Sequence, residues 1–345
     1  MSRPARLPGR ATALAVALLL AITGVAATKK APREPVIIRS FDVAVDGPLA
    51  VVGRTNGVAT FDVADLENPQ PMGELRLPAA VRGVTLVSGI GYLAAGTYGL
   101  FVIDVTEPAR PRLLRRFDTD GNVREVVVDG ERAFLADGSQ GLIVIDLSEP
   151  DRPRRVVRVS TRSSVRSVAL SKHTLATAEG RAGVRLFDVG RAQRPDEVDR
   201  LEFEGEARDV AWLGDLLLVA AAGRGLLVYR VPEGEQPMLL AEVAASGSAS
   251  AVAVHELLAV VSNGLPGLQV VDLSAPARPR VVAGVAVHRA GSAGKLTVRE
   301  DTVFVAADTA GLGIVSLADP AHPRVLSPRG RTFRIGFPSD LPEAE

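Results

Sequence analysis

Short apolar runs, each bounded by Gly, Asp, Asn or Pro, recur along the chain without the 3.6-residue periodicity of an amphipathic helix. The stretch from 123 to 160 shows the pattern. Residues 123–128 form a β-branched run ending at the turn Asp129-Gly130, and residues 133–136 form a second run, closed by Asp137-Gly138-Ser139-Gln140. Residues 141–147 read as a third strand, apolar almost throughout and therefore covered on both faces. Residues 154–159 read as a fourth, with charges mixed in as suits an outer edge. Pro150 and Pro153 lie in the connection before it, where a missing N–H costs no ladder bond.

This unit repeats. Gly99-Leu100-Phe101-Val102-Ile103-Asp104-Val105 is echoed by Gly141-Leu142-Ile143-Val144-Ile145-Asp146-Leu147, and related segments begin at Gly57, Gly183, Gly225, Gly267 and Gly311. Successive glycines stand 42 residues apart, except the last pair at 44, and a proline follows each by twelve residues, from Pro69 to Pro323. Four short strands in about 42 residues match a propeller blade, whereas a parallel β-helix coil is shorter and two-helix repeats carry helical periodicity. The expected fold is all-β: a seven-bladed β-propeller of four-stranded antiparallel blades over residues 36–331, with each first strand lining a central channel. Either residues 35–40 or residues 332–337 complete the ring on this reading, and residues 332–345 form a C-terminal tail.

The Gly-Leu-x-Val-x-Asp cores and the Pro-x-x-Pro that follows them resemble the LVIVD repeat, a propeller-forming repeat of bacterial secreted and surface proteins. The resemblance runs from about residue 38 to 330. It departs at Arg230 and Ser316, which replace the Asp, and at Leu66, Ala192 and Gly234, which replace the first proline. It implies a propeller platform and names no activity. The chain is not of the WD type, for it has one Trp and no Trp-Asp pair.

The first residues read differently. Arg3, Arg6 and Arg10 precede an uncharged stretch at 11–27 that ends in Val25-Ala26-Ala27, a pattern of a signal peptide cleaved after Ala27, with residues 28–35 as linker. At 17 residues the stretch is at the short end for a membrane span, so an N-terminal anchor is the second reading, and it is the chain's sole expected membrane contact. The expected location is outside the cytoplasm: periplasmic, secreted or at the cell surface. With no cysteine the chain is neither an ordinary diacylated lipoprotein nor disulfide-bonded. Removing residues 1–27 leaves 37 basic against 40 acidic residues, a balance that points away from nucleic acid.

Equivalent repeat positions carry the candidate chemistry. Arg82, Arg124, Arg166 and Arg208 stand 42 residues apart near the starts of first strands, where the other blades carry Phe41, Ser250 and Gly294. They are the candidate ligand-binding residues, a cationic channel mouth for an anionic ligand or partner. The competing and simpler reading pairs each with a nearby carboxylate such as Asp137, Glu179 or Asp308. One residue further on, Asp42, Glu125 and Asp209 are weak metal candidates; Lys295 at an aligned position argues against a cation, and pairing with the adjacent arginines is simpler. The repeated Asp62, Asp104, Asp146, Asp188 and Asp272 read as turn residues accepting local N–H bonds.

The four histidines, His173, His255, His288 and His322, fall at different repeat positions. No nucleophile elbow and no phosphate-binding Gly-rich loop is present. Trp212 reads as core. No catalytic residue, metal or cofactor is assigned. The expectation is therefore a non-enzymatic exported scaffold that binds protein partners; its alternative is an extracytoplasmic enzyme or small-anion-binding protein using the arginine mouth. The loop at 288–294, which holds the two-residue excess of the seventh repeat, is the candidate partner-binding patch.

Overall fold

A computed structural model describes residues 38–190, 194–264, 267–287 and 293–326. They form 28 strands in seven four-stranded antiparallel sheets, and each sheet takes its strands in sequence order. The blades span residues 40–76, 83–117, 125–159, 167–201, 209–243, 251–285 and 296–325. The β-propeller read from the repeat is the fold observed. In the third blade the strands are Glu125–Asp129, Arg132–Ala136, Leu142–Asp146 and Arg154–Val159.

Each blade is buried on both faces because hydrophobic clusters form between blades. Seven clusters occupy the seven interfaces; one joins Phe101 and Ile103 of blade 2 to Val51 and Val58 of blade 1, and another joins Phe304 and Ile314 of blade 7 to Val43 and Phe61 of blade 1. This explains why third strands such as Leu142–Asp146 are apolar up to their closing Asp, while the outer Arg112–Phe117 is largely exposed.

The signature residues of the repeat have direct physical causes. The seven repeat glycines have φ between 80° and 122°, a region that side chains strain to enter. In blades 1 to 6 a Cβ on that glycine would stand 2.1–2.2 Å from a carbonyl oxygen of the fourth strand. The repeat proline is the residue immediately before each fourth strand, so its missing N–H falls just outside the ladder. From blade 1 to blade 6 a bulge then shifts the register between third and fourth strands, as between Val144 and Ile145.

The described residues close the ring without exchanging a strand between the ends. At every interface an N–H just ahead of, or opening, one blade's first strand donates to a carbonyl in or just after the preceding blade's second strand. The donors are Val81, Val123, Val165, Ala207, Ala249 and Ala293, and the acceptors Arg54, Gly96, Gly138, Gly180, Ala222 and Gly264, at 2.8–3.2 Å. The seventh bond, from Ser40 to Asp308 at 2.9 Å, joins blade 7 to blade 1 in the same way. The signal segment, the linker, residues 332–337 and positions 288–292 of the chosen loop lie outside the described residues.

Candidate functional site

The axis carries two polar layers. The outer layer is set by the residue immediately ahead of the first strand in blades 2 to 5: the backbone N–H groups of Arg82, Arg124, Arg166 and Arg208 donate to Ala94, Ala136, Ala178 and Ala220 of their own second strands at 2.8–2.9 Å. Four consecutive blades thus bring their arginines to one mouth, while Phe41, Ser250 and Gly294 hold the same place in blades 1, 6 and 7. The positive charge is a crescent rather than a ring.

The partners of these arginines differ from the carboxylates that the sequence suggested. Asp137 accepts the Thr119 hydroxyl at 3.0 Å, Glu179 is bound by Arg185, and Asp308 lies 3.6 Å from Arg39. Glu206 faces the mouth instead, with Oε2 3.7 Å from Arg166 Nη2 and 3.8 Å from Arg208 Nε. Arg82 lies over the Phe41 ring, 5.2 Å from its centroid. Arg124 has no ion pair among the described residues. Burial, followed by the neighbouring guanidinium groups of Arg166 and Arg82, pulls Arg124 below the ordinary arginine value.

The layer beneath holds Asp42, Glu125 and Asp209. Each reaches across an interface: Asp42 accepts the N–H of Val84 at 2.8 Å, Glu125 that of Val168 at 3.0 Å, and Asp209 that of Val252 at 2.9 Å. Ser167 does the same for Val210, at 3.4 Å. The channel edge of a first strand has no ladder partner, and these side chains satisfy N–H groups that would otherwise be orphaned. Blade 7 supplies the counter-charge. Lys295 Nζ donates to Glu125 and lies 3.2 Å from Asp209 Oδ1.

The carboxylates are therefore bound to Lys295 and to backbone, not to the mouth arginines, and an ammonium sits where a cation was considered. Burial pushes Asp42 up to about 7 against the opposing pull of Lys295, and raises Glu125 as well. Burial alone would lower Lys295, but Asp209, Glu125 and Asp42 reverse this and hold it above the ordinary lysine value.

The third-strand aspartates are turn residues. Asp62, Asp104, Asp146, Asp188 and Asp272 each accept the N–H two residues on, at 2.8–2.9 Å, and the Ser316 hydroxyl substitutes at 3.3 Å. Trp212 is half-buried against the blade 4–5 core, its indole N–H donating to the Ala169 carbonyl at 3.2 Å. It also lines a cleft of about 550 Å³ between blades 4 and 5, on the face opposite the arginines, together with His173, Asp199 and Asp215. The described histidines are apart: His173 is in that cleft, His255 lies 3.8 Å from Asp301, and His322 lies 2.9 Å from Asp319.

Sequence reasoning missed Glu206 and the reach of Lys295. Glu206 was findable, for the aligned positions are Asn122, Ser164 and Ser248, so it breaks the repeat beside the mouth.

The LVIVD repeat model matches residues 81–119, 120–161, 246–287 and 290–327, which correspond to blades 2, 3, 6 and 7. No curated protein matches the chain. Among solved structures, the crystal structure of the computationally designed Ika8 protein is similar in fold, with a TM-score of 0.60 at 13% identity, covering 80% of this chain and 82% of that one. At that identity the likeness speaks to fold alone. The chain is a seven-bladed β-propeller in which four blades match the LVIVD repeat.

Proposed function

We propose that the chain is a non-enzymatic, exported binding platform that docks a protein partner on the arginine mouth. The observation that carries this reading is the crescent itself. Four consecutive blades present guanidinium groups on one face, and Arg124 among them lacks a carboxylate partner within the described residues. Below them Lys295 crosses the axis to Glu125 and Asp209, so a partner meets a charged surface above an occupied channel. Arginine is suited to such a surface, because its fixed fork of donors recognises carboxylates and phosphates with defined geometry. Export rests on the basic start, the uncharged stretch at 11–27 and the small residues before position 28.

The test is affinity capture from extracytoplasmic fractions with the tagged wild type and with Arg124→Glu/Arg166→Glu. A reproducible protein partner that disappears with the charge reversal, at unchanged melting temperature, supports the platform. Equal capture by both forms refutes the mouth as the docking surface.

A further inference from the structure

The mouth is not uniform. On its blade 5 side, Glu206 shares its two oxygens among Arg166, Arg208 and Arg181, all at 3.7–3.8 Å. On the other side, Arg82 rests on Phe41 and Arg124 has no ion pair among the described residues. Neither Asp137 nor Glu125 forms an ion pair with Arg124: Asp137 Oδ1 takes the Thr119 hydroxyl, and Glu125 is bound to Lys295 and to the Val168 N–H. The Nε atoms of Arg124, Arg166 and Arg208 are buried and have no hydrogen-bond partner. Among the described residues, the three guanidinium groups over blades 2 to 4 are thus ion-paired only through a share of Glu206.

We infer that the Arg82–Arg124–Arg166 arc, centred on Arg124, is an oxyanion site that takes a carboxylate or phosphoryl group of whatever docks there. The inference rests on the mouth being the docking surface and adds the chemistry recognised. A guanidinium fork gives two parallel charge-assisted bonds to either group, and a ligand taking Arg124 breaks no internal ion pair. Below the arc Lys295 fills the channel between Glu125 and Asp209, so the ligand is held at the rim. Glu206 competes with it for Arg166, which makes Glu206 the residue that sets the affinity.

The experiment is calorimetric titration of the signal-cleaved protein at low ionic strength with inorganic phosphate and, separately, with citrate. Saturable binding is expected for at least one; a tenfold preference for phosphate identifies a phosphoryl site, and the reverse a carboxylate site. Arg124→Gln weakens binding at least tenfold. Glu206→Gln, which keeps every arginine, tightens it several-fold, an outcome that a purely structural role of Arg124 does not produce. Absence of saturable binding in the wild type, or unchanged affinity in both variants, overturns the inference. Partner capture that still depends on the mouth while neither anion binds would leave the docking reading standing without the oxyanion site. Anion binding lost in Arg124→Gln while capture ignores the mouth would do the converse.

Discussion

Lys295 Nζ in blade 7 lies 3.2 Å from Asp209 Oδ1 in blade 5, so one side chain ties blades that are not neighbours. The same ammonium donates to Glu125 of blade 3. Both carboxylates also accept N–H groups from the following blade, so the pair is part of the ring's fastening. Removing one partner of a buried pair leaves an uncompensated charge, at a cost of about 3–5 kcal/mol. Lys295→Met is expected to destabilise by that order at pH 8 in denaturant unfolding. The loss shrinks at pH 5, because burial already raises Glu125 and favours its uptake of a proton.

Asp42 gives the fold an unusual pH dependence. Its folded value of about 7 is above the ordinary 3.8, so between those values the folded state holds a proton that the unfolded chain has released. Stability from this group therefore falls as pH rises from about 4 to about 7, by at most about 4 kcal/mol, and is level above that. Glu125, also raised, acts in the same direction. Asp42→Asn is expected to flatten the decline, as measured by chemical denaturation across pH 4–8; an unchanged slope counts against the assignment.

Gly141 represents the repeat glycine. With φ of 94° and the Val159 carbonyl 2.2 Å from the place of a Cβ, alanine there demands both a strained backbone and a displaced strand. Gly141→Ala is expected to lower stability by more than about 2 kcal/mol. Gly130→Ala, where nothing lies within 4 Å, costs less despite a φ of 56°.

Ala222 offers the opposite change. It takes the left-handed place that Gly96, Gly138 and Gly180 fill in other blades, with φ of 47°, while its carbonyl accepts the interface bond from Ala249. Ala222→Gly relieves strain of about 1 kcal/mol, and a higher melting temperature is the expected readout.

The fold was legible because its determinants are local and repeated: Gly141 must be Gly, and Pro153 must fall outside the ladder, in every blade where their equivalents occur. The site was legible only in part. The 42-residue spacing places Arg82, Arg124, Arg166 and Arg208 together, since equivalent positions meet at the axis. It does not reveal that Asp42 serves the N–H of Val84, or that Lys295 reaches Glu125. Those contacts run between blades and across the channel, and alignment of repeats compares positions without showing which side chains meet. Glu206 is hidden for a related reason: the repeat-aligned turn carboxylates Asp137 and Glu179 bind Thr119 and Arg185 instead of the mouth, and spacing alone does not show this.

Arginine-selective labelling with phenylglyoxal, read residue by residue by mass spectrometry with and without the captured partner, tests the central claim most directly. The platform account predicts that Arg82, Arg124 and Arg166 are protected by the partner while the exposed Arg110 and Arg278 of the blade connections are not. Unchanged labelling at the three mouth arginines, with protection elsewhere on the ring, would contradict it.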